Sequence, residues 1–109
     1  MAVKVITYDV GTTGLKTCLF RVSAEESVQY LAGETDTYEL HVLENGGVEQ
    51  DPEDWWAAMS RSTKKLLKKA GVDKSEIGGI SFCSQFQTVV MVDENGKPLR
   101  RAMSCMDAR

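Results

Sequence analysis

The sequence predicts an α/β fold: a mixed sheet in which an antiparallel three-strand meander is followed by a helix crossover and a β-hairpin. Three features carry this reading. The β-rich runs Val3 to Val10, Leu15 to Val22 and Val28 to Tyr38 are joined by connections too short for a crossover, so neighbours must run antiparallel. A long amphipathic segment with start and stop signals begins at Asp51. Late in the chain, two more β-rich runs flank an Asn95-Gly96 turn.

Taken in order, Val3 to Val10 carries apolar residues at both alternations, which predicts a central strand covered on both faces. Leu15 to Val22 follows as its partner, and Ser23 to Ser27 is a polar connection. Val28 to Tyr38 is the third strand, weakened by Ala32-Gly33-Glu34. Glu39 to Gln50 reads as loop, with turn chemistry at Glu44-Asn45-Gly46-Gly47. Asp51 then caps a helix, Pro52 suits its first position, and Glu53 and Asp54 complement the positive end of the dipole. Trp55, Met59, Leu66 and Ala70 recur at helical spacing, with Trp56 and Leu67 widening the stripe. Lys64, Lys65, Lys68 and Lys69 read as a solvated face that complements the dipole's negative end, and Gly71 is the stop. Ile77 to Cys83 is reached through this crossover and is therefore parallel to an earlier strand. Thr88 to Val92 and Leu99 to Met103 form the hairpin around Asp93 to Pro98.

The chain has 109 residues, 42% of them hydrophobic and 27% charged, which is enough for one small core and too little for two. A formal net charge of −3 argues against nucleic-acid binding, which needs a basic surface. The three cysteines, Cys18, Cys83 and Cys105, lack the spacing of a metal site and read as reduced thiols of a cytoplasmic protein. No apolar run is long enough for a signal peptide or a membrane span, so neither a membrane nor a nucleic acid is an expected partner.

The stretch Asp9-Val10-Gly11-Thr12-Thr13-Gly14-Leu15-Lys16 joins the first two strands and holds the clearest chemistry. Glycines allow close backbone approach, so successive N–H groups can converge on a phosphate, with threonine hydroxyls and the Lys16 cation beside them. Asp9 repels phosphate unless a hydrated Mg²⁺, an ion that prefers oxygen ligands, lies between them. The plain alternative is an ordinary hairpin turn, since turns favour these residue types. The spacing is not that of a Walker loop, and a strand rather than a helix follows.

Three further stretches change the balance: Gly47-Val48-Glu49-Gln50-Asp51-Pro52-Glu53-Asp54-Trp55-Trp56, Ile80 to Leu99, and Asp107-Ala108-Arg109. With Asp9 to Thr13, their order and spacing resemble the N-terminal part of the FGGY family of carbohydrate kinases, xylulose kinases most closely. The resemblance implies a ribonuclease H-like (actin-like ATPase) domain fragment, one of two domains in a kinase several times this length. It implies ATP and Mg²⁺ as cofactors and a small sugar or polyol as substrate. By resemblance, Gly11, Thr12, Thr13 and Lys16 contact the ATP phosphates and Asp9 lies near Mg²⁺. Gln85, Phe86 and Gln87 line the sugar pocket, and Cys105, Asp107 and Arg109 fall on the family's Trp-x-Asp-x-Arg pattern. The catalytic base is expected beyond Arg109, near the start of the second domain, so residues 1–109 alone are expected to be inactive and to self-associate through an uncovered face.

Departures fall where sugar contacts are expected. Xylulose kinases usually read Gln-Met-His-Gly, and glycerol kinases Gln-Arg-Glu, where this chain has Gln85-Phe86-Gln87-Thr88; Cys105 replaces the usual Trp. A gluconate, glycerol or other polyol kinase is therefore an alternative to a xylulose kinase, as is a stand-alone phosphate- or nucleotide-binding module. Residue chemistry alone also allows plainer roles. Trp55 and Trp56 read as helix-packing residues, Cys83 and Cys105 as small buried apolar groups, and His41 as a solvent-facing side chain. Gln85 and Gln87 read as a polar strand end, and Asp107 and Arg109 as a structural pair.

Overall fold

The computed structural model describes residues 2–25 and 27–109. Met1, in the stretch read as lacking a leader, and Glu26, in the polar connection, lie outside the described residues. Strands β1 (Ala2–Val10), β2 (Gly14–Ser23) and β3 (Val28–Thr37) form the antiparallel meander. After helix α1 (Pro52–Ala70) and a 3-10 turn, strand β6 (Ile77–Ser84) runs parallel to β1, giving the sheet order β3-β2-β1-β6. The Ala32-Gly33 weakness in β3 is absorbed by a bulge: the register shifts between Leu19 and Phe20 of β2, leaving Leu31 without a partner opposite.

Pleat register puts Ile6 and Tyr8 of β1, Leu15, Thr17 and Leu19 of β2 and Ala32 of β3 on one buried face. Helix α1 lies on that face and contributes Ala58, Ser62 and Leu66, all fully buried. Its ends match the expected chemistry: the Asp51 carboxylate accepts from the Glu53 N–H at 3.0 Å, and Gly71 closes it in the left-handed conformation at φ 66°. The centre of the contact is small and hydroxylated. Tyr8 and Thr17 meet the hydroxyls of Thr63 and Ser62 at 2.7 and 2.8 Å, and both helix hydroxyls donate to the Met59 carbonyl. Small residues let the helix approach closely, so its buried stripe is centred on Ala58 and Ser62, and Trp56 is left 69% exposed rather than packed in the core.

The structure differs from the sequence reading in three further places. β1 is central, but among the described residues only one of its faces is covered, because α1 is the sole layer on the sheet; Val3 and Asp9 are exposed. The segment Glu39 to Gln50 is not all loop: β4 (His41–Val42) and β5 (Val48–Gln50) flank the Asn45-Gly46 turn and join β7 (Ala102–Met103) in a second sheet ordered β4-β5-β7. The late hairpin keeps its turn, in which Asp93 accepts from the N–H of Asn95 and Lys97, but its arms meet only at isolated bridges, Val92 with Pro98 and Val89 with Met103. The arm Leu99 to Met103 is recruited by β5 at its end instead.

Candidate functional site

Glycine and threonine at residues 11–13 interrupt the ladder between β1 and β2, and the structure shows how the interruption is held. The Gly11 N–H closes the turn on the Gly14 carbonyl at 3.0 Å. The Gly11 carbonyl accepts from the Tyr38 hydroxyl and, at 3.3 Å, from the Gln85 amide. The Thr12 carbonyl accepts from the Gln50 amide at 2.5 Å. Burial, with the Asp9 charge adding to it, pushes the Tyr38 phenol up to about 12, so it remains a donor at neutral pH.

Both carbonyls are thus drawn toward buried donors. A trans peptide points its N–H opposite to its C=O, so the N–H groups of Thr12 and Thr13 face the other way. No hydrogen bond among the described residues takes either of them. Asp9 and Lys16 are cross-strand partners on the sheet face away from α1, and with Gly11, Thr13 and Asp36 they line a recess of about 350 Å³. Asp36 is committed to Arg61 at 2.9 Å, which holds its carboxyl below the usual range. Two free N–H groups, an exposed threonine and an exposed lysine fit an anion such as phosphate, and an exposed Asp9 carboxylate fits a cation beside it.

Gln85 lies at the end of β6, its backbone N–H on the Val10 carbonyl at 2.8 Å. Its amide donates to Gln50 at 2.9 Å as well as to Gly11, and its carbonyl oxygen accepts from the Thr88 hydroxyl at 3.0 Å. It is therefore not a free strand end, and it brings the 85–88 segment against the loop at residues 11–12. Phe86 is 71% exposed, and the exposed Gln87 has φ 52°, the left-handed region that a non-glycine residue enters at a cost of about 1–2 kcal/mol. Val10, Pro52, Trp55, Trp56, Met59, Gln85 and Val90 line a cleft of about 360 Å³ beside this segment.

Asp107 and Arg109 fall elsewhere, at the second sheet. Asp107 accepts from the Val48 N–H at 2.9 Å and from the Arg109 guanidinium at 2.7 Å, and these bonds hold its carboxyl far below the usual range while raising Arg109. Arg109 also reaches the buried Glu49 at 2.8 Å, alongside Arg100 at 2.5 Å, and the two guanidiniums hold Glu49 low. The two form an ion pair, as residue chemistry allowed, and join a larger ion cluster. Cys83 and Cys105 are exposed rather than buried apolar groups, and His41 is largely covered, 3.5 Å from Glu39, rather than solvent-facing.

Sequence reasoning missed Gln50. It is 1% exposed, and its carbonyl oxygen accepts from the Trp55 indole at 3.1 Å as well as from Gln85. Glu49 and Gln50, polar and buried at consecutive ladder positions of β5, hold the ion cluster and the loop respectively. The available signal was a Gln five residues before a Trp at a helix start, which reads equally well as loop.

The model for the FGGY family of carbohydrate kinases, N-terminal domain, matches residues 4–109. A xylulose kinase of Staphylococcus epidermidis is 30% identical over 105 residues, covering 96% of this chain and 20% of the relative. A glycerol kinase of Thermococcus gammatolerans is 34% identical over 101 residues, covering 91% of this chain and 19% of the relative. The crystal structure of xylulose kinase from Rhodospirillum rubrum superposes with a TM-score of 0.79 at 28% identity, over 97% of this chain and 21% of that one. The chain thus spans about a fifth of the length of the curated relatives it matches. Its strand order, its loop and its match over nearly every residue lead to one assignment: the chain belongs to the FGGY family of carbohydrate kinases, with their actin-like, ribonuclease H-like fold.

Proposed function

We propose that this chain is the N-terminal part of a cytoplasmic, ATP-dependent carbohydrate kinase that transfers the γ-phosphoryl group to a hydroxyl of a ketopentose such as xylulose. The observation that carries the reading is the pair of unclaimed N–H groups at Thr12 and Thr13 beside Lys16, in a family of sugar kinases. Phosphoryl transfer asks a protein mainly for positioning and charge stabilisation. In this reading Gly11, Thr12, Thr13 and Lys16 hold ATP phosphate oxygens, and Asp9 holds Mg²⁺, which neutralises phosphate charge when bound. Gln85, Phe86, Gln87 and Cys105 edge the sugar pocket, with Asp107 supporting its wall. The sugar hydroxyl oxygen bonds to the γ-phosphorus as the bond to ADP breaks, and its proton passes to a carboxylate of the second domain, beyond Arg109.

A radius of gyration of 16.3 Å, against about 13–14 Å for a compact domain of this length, supports a piece that other parts of a protein cover. Glycerol kinase relatives as similar as the xylulose kinases support a polyol acceptor as the second reading. The test is a full-length protein assayed with ATP, Mg²⁺ and a panel of xylulose, gluconate and glycerol. Xylulose should give the highest kcat/KM, and Thr13→Val should lower it about tenfold to a hundredfold at unchanged Tm, the loss of a charge-assisted hydrogen bond in a closed site. Normal activity in that variant would remove the loop assignment. Residues 1–109 alone should be inactive and should self-associate in light scattering, since Trp56, Ile80 and Phe82 leave an apolar strip bare.

A further inference from the structure

Gln50 sits where the candidate phosphate loop, the helix start and the 85–88 segment meet, and its chemistry permits one orientation. The Trp55 indole only donates, so it must face the amide oxygen of Gln50; the Thr12 carbonyl only accepts, so it must face the amide nitrogen. Gln85 completes the set by donating to the second lone pair of the same oxygen and to the Gly11 carbonyl. Each strong hydrogen-bonding group of this buried relay therefore has a partner, and reversing any one amide would set like against like.

We propose that Gln50 is a positioning residue for nucleotide binding. With Trp55 and Gln85 it holds the carbonyls of Gly11 and Thr12 inward, and so keeps the N–H groups of Thr12 and Thr13 directed at the phosphate. The proposal rests on the kinase reading above. Gln50 does not itself touch the nucleotide: it lies under the loop, and the N–H groups it orients lie on the other side of the same peptides. Without the relay the loop can rotate these peptides, and the anion site loses two aligned donors.

The variant Gln50→Met keeps the volume and removes the polar bonds. In the full-length protein its dissociation constant for ATP·Mg²⁺, measured by calorimetry, and its KM for ATP should both rise about tenfold, the worth of one or two charge-assisted hydrogen bonds. Its KM for the sugar should rise by no more than about threefold, because Gln85, which loses its Gln50 acceptor, keeps its bonds to the Gly11 carbonyl and the Thr88 hydroxyl. An unchanged dissociation constant overturns the proposal, as does an equal rise in both KM values, which is what loosened packing alone would give. If Gln50→Met does not fold, Trp55→Phe removes the donor to the Gln50 oxygen while keeping an aromatic ring and should show the same split at about threefold; no split there overturns the proposal. The two readings fail separately. A wild-type protein that phosphorylates nothing in the panel removes the kinase, whereas a nucleotide affinity indifferent to Gln50 removes only the relay.

Discussion

Thr17 and Ser62 show what a single residue contributes here. Thr17 is fully buried on β2, and its hydroxyl can only donate to Ser62, because the Ser62 proton goes to the Met59 carbonyl. Removing Ser62 leaves the buried Thr17 hydroxyl without an acceptor, whereas removing both hydroxyls leaves an apolar contact. Ser62→Ala should therefore cost about 1–3 kcal/mol in urea unfolding, and the double variant Thr17→Val, Ser62→Ala should recover most of that loss. The same logic separates Trp55 from Trp56. Both sit at helical positions, but only Trp55 has a polar partner that turns it inward, and Trp56 stays exposed.

Elements with strong local signals were legible. Helix α1 has a cap, a proline, acidic residues at its start, lysines near its end and a glycine stop, so its residues need no distant partner to declare it. Replacing Asp51 with Ala should lower stability by about 1 kcal/mol, read as a shift of the urea midpoint at constant m-value. The meander strands declare themselves by length. β4, β5 and β7 have two or three residues each, too few for any periodicity, and they exist because each pairs with another. The hairpin Thr88 to Met103 shows the converse: its turn chemistry is sound, yet pairing with β5 competes for the arm that local reasoning assigned to the hairpin.

At the scale of the molecule, β5 is the central strand of the second sheet, and its charges give an acid response. Glu49 and Asp107 are held low by Arg109, helped by Arg100 on Glu49 and by the Val48 N–H on Asp107. A folded-state value below the unfolded one means that the unfolded chain binds more protons in acid, so stability from these groups is present above about pH 5 and is lost as pH falls further. The urea midpoint should drop below about pH 5, and Asp107→Asn should flatten that slope. A slope unchanged by the substitution would show that the cluster does not set the acid limit. The open sheet face carrying Asp9 and Lys16 belongs to the same scale, since it leaves the candidate loop accessible from one side.

By itself the sequence determined the meander, the capped helix, the parallel return of β6 and the family, because each depends on short-range chemistry or on ordered motifs such as Asp9 to Thr13. It also supplied the candidate residues Gly11, Thr12, Thr13, Lys16 and Asp9, which one loop and its two flanking strands hold together. Only the tertiary structure decided how that loop is braced. Gln50 and Gln85 are 35 residues apart, and a buried amide reveals its partners only once the chain has folded them within hydrogen-bond reach. The same holds for Glu49 and Arg109, 60 residues apart, whose charges look solvated in sequence and prove to be the tie between two sheet strands and the chain's last residues.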